Sequence, residues 1–129
     1  MINMYSYVIE KIRKWLLKLS PGQRNLPVYP IDNIILTPNE VYYHVSHYTN
    51  IGMKIIRREM GLGHQRPEEA IPLFLMRMAK EHPTIAIGHL FGKPITASEA
   101  LLEIQKKTPF GMAIYRALYR KIGEVLGKL

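Results

Sequence analysis

The sequence predicts an all-α protein, with an N-terminal basic helix and a proline-rich extended arm followed by a four- or five-helix bundle. Three observations carry this. Apolar residues recur at three- and four-residue spacing near both ends of the chain. Helix-capping residues backed by proline or glutamate stand at Thr37, Thr96 and Thr108. No stretch alternates apolar and polar residues in the manner of a strand, residues 33–36 coming nearest, and no internal repeat is visible.

Tyr5, Val8, Ile9, Ile12, Leu16 and Leu19 place the first helix over residues 3–19, with Lys11, Lys14 and Lys18 on the opposite side. Ser20-Pro21-Gly22 ends it. Residues 20–37 read as an extended connector, because Pro21, Pro27 and Pro30 lock φ and discourage helix before each ring. The capping box Thr37-Pro38-Asn39-Glu40 opens a second helix, expected to run unbroken to Met60 and stop at Gly61. A loop follows at Gly61, Gly63, His64 and Gln65. Pro67 begins a third helix with Glu68 and Glu69 in its first turn, kinked or restarted at Pro72 and ending near His82. A short helical piece is expected over 84–91, then a turn at Gly92-Lys93-Pro94. Thr96 and Glu99 cap a helix reaching Lys107, and Thr108-Pro109 starts the last, over 109–127. The organisation expected is a basic helix and arm over 1–36 and a helical bundle over 37–129.

The chain has 129 residues and 47% hydrophobic content, enough to bury one core. Cysteine is absent, which excludes disulfides, thiolate zinc sites and thiol nucleophiles. No run has the length and apolarity of a membrane span, and Glu10, Lys11, Arg13 and Lys14 interrupt anything resembling a secretory signal. A cytoplasmic setting, or a particle assembled in the cytoplasm, follows.

Charge is the most informative feature. The net +8 is distributed as +4 over residues 1–24, −2 over 25–53, +3 over 54–66, −2 over 67–105 and +5 over 106–129. Basic ends around near-neutral stretches suit a protein that packs through its middle and meets a polyanion with the rest. The nucleic-acid-binding candidates are Lys11, Arg13, Lys14, Lys18 and Arg24, then Lys54, Arg57 and Arg58, then Arg116 and Arg120. The last pair is four apart and interleaved with Tyr115 and Tyr119, a combination suited to phosphate and sugar contact. Residues 41–53 are uncharged and tyrosine-rich, so Tyr42, Val45, Tyr48 and Ile51 are expected at a subunit interface.

Nothing points to a reaction. His44 and His47 lie three apart, but two histidines without further ligands make no zinc site. His64, His82 and His89 are scattered, Ser20, Ser46 and Ser98 lack a nucleophile-elbow context, and Gly61-x-Gly63 does not follow a strand. No catalytic residue, metal or cofactor is expected, nor a small-molecule substrate, and the protein is read as not an enzyme. A helix-turn-helix over 84–107 is weighed too, but Glu99 and Glu103 on its second helix oppose entry into a DNA groove.

The basic helix over 2–19, the arm over 21–38 and the capped helices after Thr37, Thr96 and Thr108 resemble, as architecture, the major coat proteins of filamentous and rod-shaped archaeal viruses. That resemblance implies a virion subunit that wraps double-stranded DNA without sequence specificity, its arm against DNA and its bundle in the shell. The implied partners are double-stranded DNA, further copies of the chain and a second, related coat subunit. The alternatives are a small dimeric helix-turn-helix regulator, and a peripheral membrane or protein-interaction module using the amphipathic first helix.

Overall fold

The Asn3 side chain accepts a hydrogen bond from the Tyr5 N–H and starts α1 (Met4–Leu17). The computed structural model describes residues 3–61, 65–90 and 92–129. Ile2, Gly63, His64 and Phe91, expected from the sequence in the first helix, a loop and a short helix, lie outside the described residues. Val8, Ile12 and Trp15 are buried along α1. The connector is not wholly extended: Ser20 and Gln23 form a capping box over the one-turn helix α2 (Pro21–Arg24).

The all-α expectation is corrected here. Besides seven helices, the described residues form two small antiparallel two-stranded sheets. In the first, β1 (Tyr29–Ile31) pairs with β2 (Ile34–Leu36) through a two-residue turn, Asp32-Asn33. Both turn residues have positive φ, 49° and 65°, the conformation that matches the twist of a tight hairpin. In the second, β3 (Ala86–Leu90) pairs with β4 (Lys93–Thr96), so a strand stands where a helix over 84–91 was expected. That also removes the helix-turn-helix weighed over 84–107.

The single helix expected from Pro38 to Met60 is two helices, α3 (Pro38–Ser46) and α4 (Asn50–Met60). Tyr48 takes a left-handed φ of 52°, and Thr49 caps α4 through the Gly52 N–H at 2.9 Å. Thr49 Oγ1 also bonds back to His44 Nδ1 at 2.7 Å. The third expected helix is present as α5 (Pro67–Glu81), with Pro72 accommodated inside it. Then come α6 (Ala97–Gln105), under the Thr96–Glu99 capping box, and α7 (Pro109–Leu126), capped by Thr108.

The chain folds as the same unit twice, contrary to the expectation of no repeat. Each unit has a helix, a hairpin, and two helices joined by a three-residue turn, the first unit alone carrying the extra one-turn helix α2 among the described residues. From hairpin to last helix the offset is constant at 59 positions. Tyr29 faces Leu36 in one hairpin and Gly88 faces Ile95 in the other. Capping boxes stand at Thr37/Glu40 and Thr96/Glu99. Left-handed residues fall at Tyr48 and Lys107. Thr108 bonds both the Gly111 N–H ahead of it and the Glu103 side chain behind it, as Thr49 does with Gly52 and His44. Identical residues at this offset are Thr37/Thr96, Glu40/Glu99, Thr49/Thr108, Gly52/Gly111, Met53/Met112, Ile55/Ile114 and Arg57/Arg116. The leading helices α1 and α5 correspond with an offset of 63, set by their N-caps Asn3 and Arg66. This places Lys14 against Arg77 and Lys11 against Phe74.

Within each unit the leading helix packs on the helix pair, α1 on α3 and α4, α5 on α6 and α7. The units share one core. Trp15 lies fully buried in it, donating its indole N–H to the Val125 carbonyl at 2.8 Å, 110 residues away. Residues 3–36 supply Val8, Ile12, Trp15, Leu19, Val28, Tyr29, Ile31, Ile35 and Leu36 to that core. Helix α5 also covers the first hairpin. Arg77 donates to the Ile35 carbonyl at 2.9 Å and to both Glu40 oxygens at 2.6 and 3.2 Å.

The close helix crossings and the Arg77 bridge each make a testable claim. A Cβ at Gly52 would stand 2.0 Å from the His44 carbonyl oxygen, and one at Gly111 2.2 Å from that of Glu103. Gly52→Ala and Gly111→Ala should each cost at least about 2 kcal/mol, read by urea unfolding, whereas Gly22→Ala, which meets nothing within 4 Å, should stay within about 0.5 kcal/mol of the parent. The bridge is tested by acid. Burial pushes the Glu40 carboxyl upward, but hydrogen bonds from Arg77 and the Thr37 N–H outweigh it and hold it below its ordinary value of 4.5. A depressed carboxyl stabilises the fold above its unfolded pKa, and this is lost as pH falls through the folded one. Glu40→Gln should therefore cost about 1 kcal/mol at pH 7 and converge on the parent below the ordinary carboxyl range in a pH series of thermal melts.

Candidate nucleic-acid interface

The ten cationic candidates divide by what they already hold. Lys11 reaches the buried Glu59 carboxylate at 3.2 Å, and Tyr29 donates to the other oxygen of Glu59 at 2.7 Å. Burial, then the Glu59 charge, pushes the Tyr29 hydroxyl far up, so it remains a donor. Arg13 forks onto Glu10 one turn earlier on α1, at 2.5 and 2.9 Å, and the hydrogen bond raises the guanidinium and lowers the carboxyl. Lys54 pairs with Asp32 of the hairpin turn. Arg24 donates to the Leu16 carbonyl at 2.8 Å, closing the end of α1. Arg58 donates to the Pro30 carbonyl at 2.7 Å and to Gln65 at 3.3 Å. Lys18 reaches the Lys128 carbonyl at 3.3 Å.

Lys14, Arg57, Arg116 and Arg120 remain. All four are exposed, and none forms an ion pair among the described residues. Arg57 and Arg116 are equivalent positions in the two units, each on the outer side of the second helix of a helix-turn-helix pair. Arg116 and Arg120 line an open groove with Tyr115, Tyr119, Pro67 and Gly123. The two tyrosine rings lie 6.4 Å apart, and Tyr119 donates to Glu68 at 3.3 Å, whose charge pushes the hydroxyl upward. The expected Tyr–Arg surface on the last helix is thus assembled, while the basic face of α1 is largely committed to the fold.

The expected subunit-interface residues do not form one surface. Val45 is fully buried in the chain's own core and offers nothing to a neighbour, a correction to the sequence-based expectation. Tyr42 and Ile51 are half-buried against the same core. Tyr48 is exposed because its left-handed backbone breaks the helix there. His44 serves the Thr49 cap, and His47 stacks on Tyr43 at 4.3 Å. No group of three metal-ligating residues lies together among the described residues. Nor, among them, is any helix long and apolar enough to cross a membrane.

Sequence reasoning missed the paired helix-turn-helix units. The signal was present as Thr-x-x-Gly-Met-x-Ile-x-Arg, once from Thr49 to Arg57 and again from Thr108 to Arg116. No family model, curated protein or solved structure matches the chain.

Proposed function

We propose that this is a structural DNA-binding protein that holds double-stranded DNA through its phosphates, without reading sequence, as a repeated subunit of a DNA-containing assembly. One observation carries the reading. Of the residues kept identical between the units, the threonines and glutamates cap helices, the glycines permit a close helix crossing, and the methionines and isoleucines line the α4 and α7 helices. Arg57 and Arg116 are exposed, with no ion pair among the described residues. An exposed guanidinium retained at both equivalent places suits an anionic partner met twice in the same way.

Phosphate contact is favoured over base reading by the first turn of α7. Its exposed residues there are Pro109, Met112 and Ala113, with Phe110 and Gly111 turned to the protein, and none carries a polar side chain for a base edge. A virion coat is one form of such an assembly, and the coat resemblance placed the N-terminal helix and arm against DNA. Residues 3–36 contribute heavily to the shared core instead, so the contacts proposed are Arg57, Arg116 and Arg120, with Lys106 and Lys107 at the start of the same basic segment.

The test is a salt titration of binding to random-sequence duplex DNA. Arg57→Gln/Arg116→Gln/Arg120→Gln should weaken binding at least about tenfold at low salt and flatten the salt slope by about 0.9 for every phosphate no longer neutralised. Lys11→Gln/Lys18→Gln should change the slope by less than about 0.9, the value of a single phosphate. Unchanged affinity and slope in the arginine variant would refute the proposal, as would tight binding confined to one sequence.

A further inference from the structure

We propose that the protein associates head to tail with copies of itself, α1 of one copy seating on the β3–β4 hairpin of the next as α5 seats on the β1–β2 hairpin within the chain. The repeat supplies the argument. Inside the chain, the hairpin of the first unit is covered by the leading helix of the second. Most of its apolar residues are buried, Tyr29, Ile31, Ile35 and Leu36 being at most 5% exposed, while Ile34 beside the turn is 42% exposed. The second hairpin pairs its equivalent residues, 88–90 with 93–95, in the same register, with a bulge between Ala86 and Gly88, and among the described residues no leading helix packs over it as α5 packs over the first. Pro94, at the position of Ile35, is exposed, as are Ala86, His89 and Lys93, and the preceding Ile85 is 53% exposed.

The missing cover has a defined shape, that of a leading helix, and the chain's other leading helix is α1. The outward side of α1 lies open where that of α5 meets a hairpin. Tyr7 and Leu17 stand 55% and 64% exposed there. The polar groups match as well. Arg77 of α5 joins the first hairpin through the Ile35 carbonyl and Glu40. The equivalent of Arg77 is Lys14, exposed and without an ion pair among the described residues. The equivalent of Glu40 is Glu99, exposed and, among the described residues, bonded only to its own cap residue, Thr96. Lys14 of one copy would thus meet the Pro94 carbonyl and Glu99 of the next. The wider charge agrees, with +4 over residues 1–24 facing −2 over 67–105.

Such an interface joins different surfaces, so it is heterologous. It grows into a filament, or closes into a ring if the rotation permits. This arrangement does not depend on DNA binding, and its test uses DNA-free protein in which Arg57, Arg116 and Arg120 are intact.

The experiment is sedimentation velocity over a wide concentration range at low salt, on the full chain, with Lys14→Glu, Glu99→Lys and the double charge-swapped variant. Circular dichroism melts confirm that each variant folds. The parent should form species larger than dimers as concentration rises. Each single variant should shift that transition to at least about tenfold higher concentration, and the double variant should recover it to within about threefold. A parent monomeric throughout, association indifferent to both single substitutions, or a double variant no better than the singles would each overturn the proposal.

Discussion

Two helix crossings set the rest of the structure. At each, a helix packs so tightly over the end of its predecessor that its third residue has no room for a side chain. The turn making this approach needs a residue that tolerates a left-handed backbone, then a threonine whose hydroxyl serves both helices. A left-handed tyrosine or lysine costs of order 1 kcal/mol or more, and the cap and the packing beyond it offset that strain. Once the crossing is fixed, the leading helix has a defined surface to cover, and the hairpin emerges beside it. The same constraint met twice gives two units of one shape.

The helix ends were legible because they rest on local chemistry. The capping boxes at Thr37 and Thr96 and the cap at Thr108 place the starts of α3, α6 and α7 where the sequence puts them. The break between α3 and α4 was not legible from periodicity, since residues 41–53 are apolar on most sides and show no interruption. Only Thr49 and Gly52 mark it, and their meaning depends on the neighbouring helix. The hairpins were hidden for a different reason. Their strands are three to five residues long, and each pair carries a proline. Asp32-Asn33 lacks the glycine that usually announces a tight turn.

The basic residues show how far a charge map alone can be read. The N-terminal cluster was legible as a cluster, but a sequence cannot tell a cation that faces solvent from one holding a carbonyl or carboxylate 48 residues away, as Lys11 does. Six of the ten candidates bind groups of the chain itself. The exposed pairs add little stability individually. They nevertheless lower the charge available to a polyanion, and shift the basic surface from α1 towards α7.

The units also diverge in a way that bears on what each can bind. In the first, Lys11, Glu59 and Tyr29 form a hydrogen-bonded group against Trp15, whose ring lies 6.5 Å from that of Tyr29. The equivalent positions in the second unit are Phe74, Leu118 and Gly88. Replacing a buried ion pair with apolar residues is energetically acceptable, and Phe74 and Leu118 join the core. The glycine has no such compensation. Where Tyr29 fills the space between hairpin and helix, Gly88 leaves a cavity of about 240 Å³ walled by Ile87, Ile95, Phe110, Ile114 and Leu118. A Cβ at Gly88 would meet nothing within 4 Å. The first unit therefore closes its hairpin from within by an aromatic ring and from without by α5, whereas the second does neither. That asymmetry leaves the second hairpin open on the two sides where the first is closed.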